Sequence, residues 1–441
     1  MSQPEDFIPY LPAGGALLAL GCVIGAMRAA RKQRLIDGLP TCKTTGVFIG
    51  EVEVQGTAEA DSPLLSCLAE TACVHFAWSV EERWSRTVTE TYTDNDGKAQ
   101  TRTREESGWT TVADGGEQIP FYVRDDCGLL LVRPAGAKVE PQVVFDETCG
   151  RSDPLYYGKG PAPAVANSDH RRRFREVAIP LHAPVFVIGK ARERQDVVAA
   201  EIAQDRAAAL FLISTRNEKQ VSRGYATTYW ALLVLGLFLC TSGFGAGLAS
   251  RWPGREQVWI PFLLGAAAFG ALGAMAWSWM AYNSLVDLRN RVASAWSQVD
   301  VQLKRRVDLI PRLESVIRGL QQHERTVQES AAALRTQAQA TAPGVAGPDF
   351  AALAPTLTAV IENYPQLKTS AAFLELQKQL VDTEQRIALA RGYFNELATH
   401  FNTRLEVVPD RFLAALTGLS PQALMAANDF ERAPVPVKVA N

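Results

Sequence analysis

No CxxC pair occurs anywhere in this 441-residue chain, and no cysteine follows Cys240. Cys22 and Cys240 sit in apolar runs. The other five, Cys42, Cys67, Cys73, Cys127 and Cys149, are odd in number and irregularly spaced. That pattern indicates neither a disulfide framework nor a zinc centre, so the thiols read as ordinary ones. Histidine is scarce as well, and beyond Cys240 only His323 and His400 remain as titratable zinc ligands, too few for a four-ligand site. An excess of one charge is also missing: 45 basic residues against 47 acidic ones leave a net charge of −2, which removes the overall case for nucleic acid as a partner. We find no internal repeat, and no motif calls for a cofactor or a metal.

What the chain does have is three runs apolar enough to enter a bilayer: Leu11 to Met27, Thr227 to Ala249 and Val258 to Tyr282. The first is short and glycine-rich. The other two match the length that a hydrocarbon core of about 30 Å requires. Glycines in them (Gly236, Gly243, Gly245, Gly247; Gly265, Gly270, Gly273) are expected to let the helices approach closely. Basic residues mark the cytoplasmic side. Arg28, Arg31, Lys32 and Arg34 follow the first run, whereas only Glu5 and Asp6 precede it, which reads as an uncleaved anchor with its N-terminus outside. Arg216, Lys219 and Arg223 before the second run and Arg289 and Arg291 after the third agree; Arg251 and Arg255 in the short loop are a mild contrary vote. The expectation is a multi-pass membrane protein with both large soluble parts in the cytoplasm.

Residues 44–215 read as β-rich. Val47, Ile49, Val52 and Val54 alternate, and Cys73 to Trp84 carries Phe76, Trp78 and Val80 on one face. Asp94 to Gly97 predicts a turn between the threonine-rich arms Thr87–Thr93 and Lys98–Thr110. Asp125-Asp-Cys-Gly128 predicts a tighter turn, in which the carboxylates bond their own backbone rather than doing acid–base work. The basic run His170 to Arg175 offers Arg171, Arg172, Arg173 and Arg175 as candidate contacts to anionic lipid or an acidic partner. Its plainer reading is a solvated loop entering a strand at Val177.

From Tyr282 onward the pattern changes period. Leu285, Leu288, Val292, Trp296, Val299, Leu303, Val307, Ile310, Leu313, Ile317 and Leu320 recur at intervals of three or four, the seam of a helix packed on other helices. No turn residues separate it from the third apolar run, so one helix should leave the membrane as a stalk. A second stripe, Phe373 through Ile387, Phe394, Phe401 and Leu405, lies on a helix from about Gln366. Trp296, Leu303 and Ile310 on the first helix with Phe394 and Phe401 on the second are the expected structural seam. Asp300 with Lys304 has the favourable i, i+4 order, the triplet Lys304-Arg305-Arg306 should pair with acids on a neighbouring helix rather than with head groups, and Pro311 should kink the first helix or break it. Thr341 to Pro348 reads as a linker, and Asp349 to Asn363 as a shorter helix.

Two family resemblances accompany these readings. Tyr282-Asn-x-Leu-Val, Ala295-Trp-x-x-Val-Asp-Val-Gln-Leu-Lys-Arg-Arg-x-Asp-Leu-Ile-Pro311, Tyr364-Pro-x-Leu-Lys368, Tyr393-Phe-Asn395 and Phe401-Asn-Thr403 resemble the LemA proteins over residues 282 to about 430. Gly46-x-x-x-Gly50, Trp78-x-Val80-Glu-Glu82, Pro120-Phe-Tyr-Val-x-Asp-Asp126-x-Gly128 and Arg175-Glu176 before Pro180 resemble the GIDE domain of organellar membrane ubiquitin ligases over about 45–195. The first resemblance implies a membrane helix followed by an elongated antiparallel bundle, and with it a setting in a cell inner membrane of bacterial type. The second implies ubiquitin transfer, but through a C-terminal zinc-bound RING, whose cysteines are missing from the residues after Cys240.

Together these give an α+β membrane protein: anchor 1–28, GIDE-like β-rich domain 44–215, transmembrane hairpin 227–282, LemA-like helical bundle 282–430 and irregular tail 431–441. The expected function is a non-catalytic scaffold that recruits partners, in envelope stress or protein quality control. A transferase and a lipid-sensing module are the alternatives. The expected partners are the bilayer, unidentified membrane or cytoplasmic proteins, and a second copy of the chain.

Overall fold

The structure, a computed structural model, describes residues 11–93, 99–194, 199–206, 208–249, 259–320 and 371–425. The turn at Asp94–Gly97, the linker at Thr341–Pro348, the helix at Asp349–Asn363 and the tail 431–441 lie outside them. The described chain is α+β and divides into a helical unit (Met1–Pro40 with Val221–Asn441) and a β-rich unit (Thr41–Gln220). Helix α1 (Leu11–Ile36) precedes the β-rich unit.

Strands β1 (Thr41–Cys42), β2 (Gly50–Glu59), β3 (Leu64–Leu65), β4 (Ala72–Thr93), β5 (Ala99–Gln118), β6 (Phe121–Arg124) and β7 (Leu129–Val132) open the β-rich unit. They are followed by β8 (Lys138–Glu140), β9 (Gln142–Gly150), the short helix α2 (Pro154–Gly158), β10 (Ser168–Pro180), β11 (Pro184–Glu193), β12 (Ala200–Ala203) and β13 (Leu212–Ser214). Five strands close on themselves: β2 pairs β6, β6 pairs β7, β7 pairs β12, β12 pairs β11, and β11 returns to β2. This small barrel leaves no open edge among its five members. Alternation fills it: Val54, Ala58, Val123, Val132, Val187, Ala191 and Ile202 are all fully buried. At Gly56 a Cβ would stand 2.2 Å from the carbonyl oxygen of Arg124, so only glycine permits β2 and β6 to pair this closely.

The second sheet is built on a long hairpin. Strand β4 pairs β5 from His75↔Gln118 out to Thr93↔Ala99, with a bulge beside Val80, and β10 and then β9 continue the sheet on its other side. The threonine-rich arms are thus one continuous ladder. Trp78 and Trp84 lie flat over their cross-strand partners Gly115 and Gly108, where a Cβ would approach the indole to 3.0 and 2.9 Å.

In the helical unit, α3 (Glu218–Ala249), α4 (Trp259–Leu320), α5 (Ala371–Glu406) and α6 (Asp410–Thr417) join α1. Three of these helices are long and apolar enough to cross a membrane, over Pro12–Ile36, Glu218–Gly247 and within Trp259–Arg306. They meet through Ala19, Val23, Cys240 and Phe269. Gly15 of α1 faces Gly243 of α3, and Gly236 and Gly245 of α3 seat Phe269 and Phe262 of α4, while Gly270 and Gly273 touch nothing comparable.

Helix α4 runs unbroken through Pro311. It packs antiparallel on α5: Ser284 meets Arg404, Trp296 meets Phe394 and Arg306 meets Glu384. The buried seam of α4 is Leu285, Leu288, Val292, Ala295, Val299, Leu303, Arg306 and Leu309; that of α5 is Leu380, Thr383, Ile387, Ala390, Phe394, Leu397, Ala398, Phe401 and Leu405. Trp296 is only half-buried, because Ala295 takes the innermost position and leaves the indole edge-on to Phe394 at 5.7 Å. The side chain of Ile310 is not among those described. Lys304 pairs with Asp300 at 2.7 Å.

Candidate functional site

Strand β10 decides which polar groups of the β-rich unit are available for function. Its residues alternate sharply, since Arg172, Phe174, Glu176 and Ala178 are buried while Arg171 and Arg175 are exposed. A pleated strand sends neighbours to opposite faces, so Phe174 and Ala178 carry Arg172 and Glu176 inward with them. The basic run is therefore strand from Ser168 on, not a loop leading to Val177.

Arg172 is wholly buried, which overturns its reading as a lipid or partner contact. Its guanidinium donates to Glu82 from Nε (3.2 Å) and Nη2 (3.1 Å), to the carbonyls of Tyr156 (2.7 Å) and Pro161 (2.8 Å) from Nη1, and to that of Pro163 (3.2 Å) from Nη2. All five donors are used, and the group stacks on the Tyr156 ring at 4.0 Å. Glu82, equally buried, also accepts from the Tyr156 hydroxyl at 2.8 Å and from the Ser168 hydroxyl. Burial alone would raise its pKa, but the bonds from Ser168, Tyr156 and Arg172 together hold it below the ordinary value.

Glu176 takes the backbone N–H groups of Cys67, Leu68 and Ala69 at 2.7–3.1 Å. Lys159 holds the same loop through the carbonyls of Cys67 and Leu68. In the barrel, Glu201 bridges Arg133 and Arg192, each at 2.8 Å. These are structural clamps: each carboxylate is saturated by donors that fix a loop or a strand end.

Asp125 behaves as a turn residue. It accepts from the backbone of Cys127, Gly128 and Thr44 and from the Thr44 hydroxyl at 2.6–2.9 Å. Asp126 pairs with Lys43 at 2.6 Å. Asp125, Asp126 and Cys127 are close enough to share a metal, but the donors around Asp125 and the lysine on Asp126 already fill that role. Two of the thiols are held protonated: burial, with Glu176 nearby, raises the pKa of Cys73 to about 11, and burial raises Cys149 also.

The outward face of the same sheet differs. Arg171, Arg173 and Arg175 of β10 line up with Glu81 and Arg83 of β4, Trp109, Thr111 and Asp114 of β5, and Asp146 and Thr148 of β9. Arg173 lies over the Trp109 ring at 4.5 Å and pairs with Glu81 at 3.3 Å. Arg175 reaches Asp146 at 3.9 Å. Trp109 remains 38% exposed, an aromatic flanked by arginine on an otherwise polar face. The sequence points to three of these arginines but neither to Trp109, which belongs to a strand more than sixty residues upstream, nor to the inward role of Arg172. The signal for the latter was available in the parity of Phe174.

The LemA family model matches residues 295–439, and a model described as E3 Ubiquitin ligase, GIDE, matches residues 89–247. A segment that matches the GIDE model thus precedes one that matches the LemA model. The GIDE match enters near the end of β4 and runs through β13 into α3; the LemA match begins at Ala295 in the α4 seam and covers α5 and α6. A stretch of 62 residues is 36% identical to the magnetosome protein MamQ of Magnetospirillum gryphiswaldense, covering 14% of this chain and 23% of that protein. The shared stretch is thus under a quarter of that relative's length.

Proposed function

We propose that this protein is a non-catalytic, inner-membrane scaffold that recruits a protein partner through the outward Arg–Trp face of its β-rich unit. The observation that carries the reading is the division of labour on β10. The buried polar groups are consumed in structural bonds, whereas Arg171, Arg175 and Trp109 are exposed, with Arg173 half-buried among them, on the outward face of the sheet. Arginine and aromatic residues are the types enriched where proteins bind proteins. A role in envelope stress or protein quality control fits such a scaffold.

The membrane topology belongs to the same proposal: three spans, the N-terminus outside, and the soluble parts in the cytoplasm. Contacts within the helical unit support it. Asp37, just after α1, accepts from Ser222 at the start of α3 at 2.6 Å, and Lys32 lies over the Tyr225 ring at 5.8 Å. The basic end of α1 and the basic start of α3 are therefore side by side, as one membrane face requires. A transferase, suggested by the GIDE match, would need the zinc ligands of a RING module, and no cysteine follows Cys240 in these residues.

A photocrosslinking residue at Thr148, exposed between Arg173 and the sheet edge, tests the reading in native membranes. A discrete adduct with one protein species is expected there and not from a residue at Phe174. Absence of any discrete adduct from Thr148, Thr111 and Asp114 alike overturns partner recruitment by this face. Near-stoichiometric zinc in the purified protein, together with transfer of a ubiquitin-like group, would favour the transferase instead.

A further inference from the structure

The tip of the helical unit carries an apolar surface that its own packing does not explain. Helix α5 runs antiparallel to α4 and ends at Glu406. The chain then turns through Val407–Pro409 into α6 and comes back along α5, where Gln422 and Met425 donate their backbone N–H groups to Asn402 and Asn395 at 2.8 and 2.9 Å. Residues 407–417 are thus the extremity of this hairpin. An extremity facing water should be polar, yet Val407 is 53% exposed, Val408 62%, Phe412 63% and Leu416 83%. Ala414, on the opposite side of α6, is the residue that packs inward.

The level of this tip follows from what holds it. Arg404 donates to Ser284 at 3.2 Å, two residues past the end of the apolar run of α4 at Tyr282. Arg404 also donates to Asp410 from Nε at 2.6 Å, and Asp410 faces Arg34, at the end of α1, at 3.9 Å. Beyond Arg404, α5 continues toward the span at about 1.5 Å per residue, so Val407 comes about level with the last turn of the apolar segment. There α4 exposes Trp279 (70%) and Tyr282 (40%), residues suited to a membrane–water boundary. Arg411, in the same turn, is exposed and available to anionic head groups.

We propose that the α5–α6 turn, residues 407–417, lies in the boundary between head groups and acyl chains, with Val407, Val408, Phe412 and Leu416 inserted from the side on which the bundle stands. The occupant of the patch is lipid. An amphipathic helix lying in the interface buries its apolar face only a few ångströms deep, about 5–10 Å, which an eight-residue helix fixed to two span ends can do without crossing. The proposal rests on the reading of α1, α3 and α4 as membrane spans.

The test uses the full-length chain in a cysteine-free background, reconstituted in phosphatidylcholine–phosphatidylglycerol vesicles, with an environment-sensitive fluorophore at one of three positions. Position 416 reports the tip, Val234 the lipid face of α3, and Lys378 the exposed distal part of α5. The label at 416 is expected to emit blue-shifted and to be quenched by lipids spin-labelled near the head group, more weakly by lipids labelled deep in the chain. The label at 234 should show the reverse depth preference, and that at 378 only quenching by aqueous iodide. If 234 is quenched from lipid while 416 behaves like 378, the tip is in water and the inference fails alone. If 416 is shielded from iodide yet untouched by every spin-labelled lipid, a protein covers the patch, which also overturns it. If 234 is itself not quenched from lipid, the membrane reading fails and takes this inference with it.

Discussion

Arg171 and Arg172 are adjacent in the chain and stand in opposite environments, one exposed and one with no solvent contact at all. Replacing Arg172 with Met would leave the Glu82 carboxylate buried beside two hydroxyls only, a loss of roughly 3–5 kcal/mol for breaking one side of a buried pair. Adding Glu82→Leu should restore part of it, since the desolvated charge goes too. Arg171→Ala should stay within about 0.5 kcal/mol. Denaturant melts of the detergent-solubilised protein check all three, and equal losses from Arg171→Ala and Arg172→Met would sink the assignment of faces.

Titration follows from the same residues. For Asp125 and Glu201 burial pushes the pKa up, but the hydrogen bonds outweigh it: those from Thr44, Cys127 and Gly128 for Asp125, and from Arg133 and Arg192 for Glu201. Both end below their ordinary values, as Glu82 does. A carboxylate with a depressed folded pKa contributes stability above its unfolded pKa and loses it as pH falls through the folded one. His75, whose pKa burial lowers, adds a smaller loss beginning nearer pH 6.5, the ordinary histidine value. The β-rich unit should therefore hold its melting temperature from neutrality to about pH 5 apart from this small decline, then fall steeply below about pH 4. A flat profile down to pH 3 would mean that these clamps carry no stability.

At the scale of elements, the α4–α5 seam distinguishes positions that share a stripe in the sequence. Phe394 is 2% exposed, so Phe394→Ala should cost about 3–5 kcal/mol. Trp296→Ala should cost distinctly less, because the half-buried indole meets only the edge of Phe394 and Ala295 holds the inner site. Thermal melts of the two variants give the order directly, and a larger loss at Trp296 would put the register of α4 one residue off. Arg306 completes the seam. It is buried opposite a Glu384 that is partly exposed, so the pair ties two helices at one height rather than adding much net stability.

For the whole molecule, the decisive measurement is sidedness. A cysteine at position 171 in an otherwise cysteine-free chain should resist an impermeant thiol reagent in intact cells and react once the membrane is opened, while one at Ser2 should react in intact cells. The opposite pattern would invert the topology and move the recruiting face to the other side.

Much of this protein was legible from residue order alone. The three apolar runs, the 3.5-residue stripe of α4, the stripe through Phe394 and Phe401, and the turn at Asp125–Gly128 depend on spacing within a local stretch, and local spacing is what a sequence displays. The closing of β2, β6, β7, β12 and β11 into a barrel was not legible, because β2 and β11 are paired across more than a hundred residues and several of these strands are four residues long. The fate of the basic run was likewise decided only by the tertiary structure. A row of arginines announces charge, but whether each charge meets water or a buried carboxylate depends on the pleat of β10 and on Glu82 arriving from a distant strand. The apolar tip at Val407–Leu416 has the same origin: hydrophobic residues are visible in any sequence, but their remaining exposed at the level of the span ends is a property of the packed helices.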